Sequence, residues 1–187
     1  MISEYIRENI YHTITGFLRE YGFERAPVPL GEVCAALGIE LVPLTRSMMQ
    51  GFSKGFIFRL WGNTDGALQV VIKRGKVYAK IGYNDFVRPE RRRFTIAEEI
   101  CHFLLGHYTD RRCDKTSSTF DTEWYQHCEQ QARLAAGLLL CPPNIYAARA
   151  PKSIREMSTV FAISNTCAVM CKNELDRCMR KQIMCNQ

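Results

Sequence analysis

The sequence predicts an α+β fold, a small antiparallel sheet packed against a helical bundle. Three observations carry that expectation. Stretches of helical periodicity open and close the chain, three short β-like runs lie between residues 55 and 83, and glycines or prolines punctuate the changes of period. At 187 residues and 47% hydrophobic, the chain is long enough for one well-packed domain. No internal repeat or low-complexity linker interrupts it.

Residues 3–21 form the first expected helix, with Tyr5, Ile6, Ile10, Ile14, Phe17 and Leu18 on one side. Prolines break the chain in "APVPLGEVCAALGIELVPL". A short helix then runs from about residue 30 to 37 and ends at Gly38, from which the strand "IELVPL" departs. The β-like runs are "GFIFRLW", "ALQVVIK" and "VYAKIGY", with "GNTDG" between the first two and the tight hairpin turn "RGK" between the second and third.

Pro89 then suits the first turn of a helix carrying Phe94, Ile96, Ile100, Phe103 and Leu104 as far as Gly106. After the polar connection "DRRCDKTSSTFD", a second long helix covers about 122–140 and stops before Pro142 and Pro143. "PNIYAARA" and "SIREMSTVFA" are short helices, and Ser164 caps a last one reaching about Arg180. The expected layout is one domain over 1–187: an N-terminal helix (1–25), a sheet with two long helices (26–145) and C-terminal helices (146–187).

Composition excludes several classes. No apolar run approaches the roughly 20 residues that span a bilayer. The first residues mix charges into a helical period and lack a signal-peptide core, so the default location is the cytoplasm. Nine cysteines, an odd number scattered through helical segments, read as reduced thiols. Cys167, Cys171, Cys178 and Cys185 fall on one helical stripe; without a C-x-x-C pair they read as small apolar residues facing a core rather than a metal or redox site. The net charge of +6 is concentrated at Arg88, Arg91, Arg92 and Arg93 and in the last helix, with no interleaved aromatics to suggest a nucleic-acid surface.

The chemistry concentrates in "RRRFTIAEEICHFLLGH". Residues four apart share a helix face, so Glu98 and His102 can point at one ion, and Glu99 lies about 100° around the helix. Between Phe94 and Gly106 this helix is otherwise free of charge, and acids and a His there are costly to bury without a compensating partner such as a cation. The residues alone leave two readings, a metal site or a side-chain hydrogen-bonded pair.

The segment resembles the active-site helix of the ImmA/IrrE family of metallo-endopeptidases, which reads like "RFTLAHELGHLLLGH". Downstream, "EQQARLAAGLLLCP" resembles that family's second signature, of the kind "E-x-x-A-N-x-F-A-A-x-L-L-M-P". Upstream, "PVPLGEVCAALGIELVPL" and "AKIGYN" look like the family's lead-in, so the resemblance covers about residues 26–142. It implies a zincin-like metallopeptidase in which Glu98, His102 and Glu129 ligate the metal and Glu99 is the general base. Glu98 stands where the family's first His would be, a variant that recurs in phage- and mobile-element-like members. Carboxylate ligation is chemically sound for zinc, but two carboxylates neutralise the dication, acidify its water less, and open the site to manganese or iron. Slow peptidase chemistry, or none, is therefore expected.

By the same resemblance the substrate is a helix-turn-helix repressor, cleaved to release genes of a phage, an integrative element or a stress response. The strand "KVYAKIGYN" is expected to be the edge that pairs with extended substrate, through Lys80, Ile81, Gly82 and Tyr83. Tyr83, Tyr108 and Tyr125 are oxyanion-stabilising candidates by residue type alone, and His107 and His127 fall off the ligand face. The rival expectation is a regulator that binds without cutting. Residues 155–175 have a helix-turn-helix look, with Ser164 capping a recognition-like helix that carries Lys172 and Arg177 towards DNA.

Overall fold

The computed structural model describes residues 2–44, 65–113 and 118–185. The first β-like run, residues 55–61, lies outside the described residues. Helix α1 (Glu4–Glu20) begins where the Ser3 side chain accepts from the Ile6 amide, and it buries Ile10, Ile14, Phe17 and Leu18. Tyr5, expected on the apolar side, is exposed, although its neighbour Ile6 packs against the core. Helix α2 (Leu30–Ala36) ends at Gly38, whose φ of 67° lies in the left-handed region.

Strands β1 (Ile39–Pro43), β2 (Gly66–Lys73) and β3 (Lys76–Tyr83) form one sheet in the order β1-β3-β2. The β2–β3 hairpin turns at Arg74 and Gly75, with φ of 50° and 74°, the conformation that a two-residue turn between twisted strands requires. The sheet is mixed rather than wholly antiparallel, because β1 runs parallel to β3, with Ile39 opposite Ala79 and Pro43 opposite Tyr83. Strand periodicity reports which face is buried, not the direction of a neighbour, and β1 reaches β3 only through a long connection.

Helix α3 (Pro89–Leu104) starts with Pro89 in its first turn and ends at Gly106, with φ of 70°. It buries Thr95, Ile96, Ala97, Ile100 and Cys101 against the sheet and the next long helix, α4 (Thr122–Leu140). Asp121 caps α4 by accepting from the Glu123 and Trp124 amides. Its buried Ala132, Ala135 and Ala136 are small enough to let other helices approach closely. Gly66 shows how tightly β2 sits on α3: a Cβ there would lie 2.3 Å from Thr95 Cγ2.

Helices α5 (Pro143–Arg149), α6 (Ile154–Phe161) and α7 (Asn165–Cys185) complete the chain. The α6–α7 turn resembles a helix-turn-helix corner, with Ala162 in the left-handed region and the Ser164 hydroxyl accepting from the Cys167 amide. Yet Met157, Phe161, Ile163, Ala168, Cys171 and Leu175 are buried in the same core as α1 and α4. Lys172 and Arg177, the DNA-facing candidates, pair with Asp176 and Glu4, and Arg7 reaches Glu174 at 2.5 Å. In the basic run, Arg91 pairs with Asp65 at 2.7 Å and Arg93 donates to the Val28 carbonyl at 2.6 Å. Cys167 and Cys171 are buried free thiols, as a core stripe requires.

Candidate active site

Glu98, Glu99 and His102 project from the last two turns of α3, where the helix meets both β2 and α4. Glu129 sits in the second turn of α4, past the Asp121 cap. The two helices bring His102 Nε2 to 3.4 Å from Glu129 Oε1. His102 Nδ1 meets His107 Nδ1 at 2.9 Å, which orients the imidazole from behind. His107 stands just past Gly106 in a 3-10 turn (His107–Thr109); the helix has ended, so it reaches back to His102. His127 instead packs beside Trp124, with ring centroids 5.5 Å apart.

Three carboxylates in one half-buried cluster perturb each other. Burial, reinforced by the charges of Glu98 and Glu129, raises Glu99 to about 7, against a partial offset from His102 and the Leu68 amide. Burial also raises Glu98, with Arg133 pulling the other way. Burial alone would lower His102, but its hydrogen bond to Glu129 and the surrounding carboxylates lift it above the ordinary value. Glu129 goes down: burial is outweighed by hydrogen bonds from His102 and Tyr125 and by Arg133. His107 falls to about 4 through burial and the neighbouring His102 charge. In this pair, then, the two imidazoles shift in opposite directions, His102 up and His107 down.

The side chain that sequence reasoning passed over is Arg133. Its Nε donates to Glu98 Oε1 at 3.0 Å, and its Nη2 reaches Glu129 Oε2 at 3.5 Å. A signal was present: Arg133 follows Glu129 by one helical turn and stands where the second signature has Asn. Tyr125, one turn before Glu129, gives it a hydroxyl hydrogen bond. Of the three tyrosines considered, Tyr108 stacks on Phe103, and Tyr83 lies at the end of β3.

A tetrahedral zinc with ligand bonds of about 2.1 Å separates two ligand atoms by roughly 3.4 Å. His102 and Glu129 match that spacing, at 3.4 Å. Glu98 Oε1 accepts from Arg133 Nε at 3.0 Å. Among the described residues no three His, Cys, Asp or Glu side chains converge on a metal position. As arranged, the donor set does not fit a three-ligand zinc.

The strand expected to pair with extended substrate, β3, is central rather than at an edge of the described sheet. β3 lies between β1 and β2, so in the described sheet both of its edges are paired, and the free edges belong to β1 and β2. Ile81 is buried in the core, and Lys80 pairs with Glu40 at 2.8 Å. Gly82 and Tyr83 pair with Ala67 and Gly66 of β2. It is β2, through the Leu68 amide, that touches Glu99.

The family model of the IrrE N-terminal-like domain, peptidase M78, matches residues 62–169. Among solved structures, a Mycobacterium tuberculosis transcriptional regulator is similar, with a TM-score of 0.49 and 14% identity over 88% of this chain and 50% of that one. The chain thus spans about half the length of that regulator. No curated protein matches the chain. No described helix is long and apolar enough to cross a membrane.

Proposed function

The chain belongs to the IrrE N-terminal-like family of peptidase M78 domains, and from that premise we propose that it is a metallopeptidase-fold regulator that binds a helix-turn-helix repressor without cutting it. The observation that carries this reading is the engagement of Glu98. The residue in the first ligand position spends its carboxylate on Arg133 at 3.0 Å. That leaves His102 and Glu129 as a pair, and catalytic zinc sites take three protein ligands. The remaining groups suit recognition: an acid-rich, partly buried cluster beside a sheet edge, where an extended partner segment can add as a strand.

A second reading is favoured by Glu99 and by the His102–Glu129 spacing. A carboxylate at about 7 is poised to accept a proton near neutral pH. In that reading the protein is an endopeptidase with zinc, or manganese or iron, held by Glu98, His102 and Glu129, and it cleaves the repressor to derepress phage, mobile-element or stress genes. The metal would supply a Lewis acid and Glu99 would take the proton; Glu98 must first leave Arg133.

Incubating the protein with its cognate repressor, with and without added zinc, separates the two readings. Stable co-elution with an intact repressor, for both wild type and Glu99→Gln, supports the binding regulator. Zinc-dependent cleavage that Glu99→Gln abolishes overturns it in favour of the peptidase.

A further inference from the structure

The carboxylates of Glu98 and Glu129 already share a cation. We propose that Arg133 is the resident cation of this site, a guanidinium standing where a divalent metal would draw the same carboxylates together, and that it sets the chain's affinity for metal. The inference deepens the binding-regulator reading and rests on it.

Arg133 and the two acids come from facing helices. Glu98 is on α3, whereas Glu129 and Arg133 are one turn apart on α4. The Arg133 side chain is 56% exposed, but the Glu98 and Glu129 side chains are only 15% and 22% exposed. An exposed pair of this kind is ordinarily worth little. Here the acids are poorly hydrated and face each other, so withdrawing the cation leaves two like charges in a half-buried gap.

The planar fork lets one side chain address both acids through different nitrogens, Nε to Glu98 and Nη2 to Glu129. A lysine presents one compact ammonium and cannot divide itself that way. The guanidinium sits on Glu98 Oε1 and approaches Glu129 Oε2, so a dication drawn in by the same two carboxylates meets a positive charge already in place. Arg133 also lines a cavity of about 320 Å³ together with Arg7, Leu134, Leu138 and Glu174.

The test is metal titration of chelator-stripped protein, using Co²⁺ absorption and Zn²⁺ calorimetry on wild type, Arg133→Gln, Arg133→Lys and Arg133→Gln/His102→Ala. Arg133→Gln is expected to bind one metal equivalent at least roughly tenfold more tightly than wild type, with Arg133→Lys between them. Adding His102→Ala should erase the gain. Should Arg133→Gln fail to give a cooperative melt, Arg133→Lys decides by the same criterion.

Equal affinities in wild type and variant, or a gain that survives His102→Ala, overturn the proposal. If both bind tightly and equally, the observation behind the binding-regulator reading falls with it. If neither binds, only the proposal about Arg133 falls, and the repressor assay still decides the function.

Discussion

Replacing Glu99 with Gln tests the electrostatics of the site without disturbing its shape. The carboxylate rises from an ordinary 4.5 to about 7 on folding, chiefly through burial. Each pKa unit corresponds to ~1.4 kcal/mol, so the rise is worth about 3 kcal/mol. Below pH 4.5 the carboxyl is neutral in both folded and unfolded chains and costs nothing. Between 4.5 and about 7 the unfolded chain gives up its proton first, so stability falls as pH rises, and the full cost is reached above 7.

Gln at this position is neutral at every pH, and its carbonyl can still accept from the Leu68 amide. At pH 5 the variant should melt close to wild type, and at pH 8 it should be more stable by up to about 3 kcal/mol. For a chain of this length that is roughly 6–12 °C in Tm. Thermal melts in chelating buffer across pH 5 to 8 read the difference directly. A gap between the two proteins that stays constant across that range, or that closes at high pH, refutes the burial argument for Glu99.

The remaining expectations follow from single contacts. Gly66→Ala places a methyl 2.3 Å from Thr95 Cγ2 and should cost about 1–3 kcal/mol; Thr95→Ser removes that methyl and should recover most of the loss in a double-mutant cycle read by urea unfolding. Tyr125→Phe deletes the hydroxyl that donates to Glu129, costing about 1 kcal/mol, and it should raise the pKa of Glu129 as followed by NMR titration. Phe161→Ala empties a fully buried site where α6 meets the common core; a loss of about 3–5 kcal/mol in one cooperative transition is expected, whereas a separate low-stability transition for the tail would argue for an independent DNA-binding unit.

Helix placement was largely legible from local rules. Pro89 and Gly106 bracket α3, and Asp121 with Pro142 brackets α4, because caps and breakers act within one turn of where they sit. The pairing of His102 with Glu129 was legible only through the resemblance, since no local rule relates residues on different helices. The partnership of acids and cation was half visible: the uncharged run around Glu98 and Glu99 called for a compensating partner, and the residues alone left open whether that was a metal or a side chain.

By itself, the sequence determined the α+β division, the helix limits and the face that Glu98 and His102 share, because each depends on period and on backbone preferences over a few residues. Tertiary structure decided that β1 runs parallel to β3, that β3 lies between β1 and β2 while β2 meets Glu99, and that Arg133 bonds Glu98 and approaches Glu129. Those outcomes depend on how closely α3, α4 and the sheet approach each other. That spacing comes from packing small residues such as Gly66, Ala132 and Ala136, and it determines which charged groups come within reach of one another.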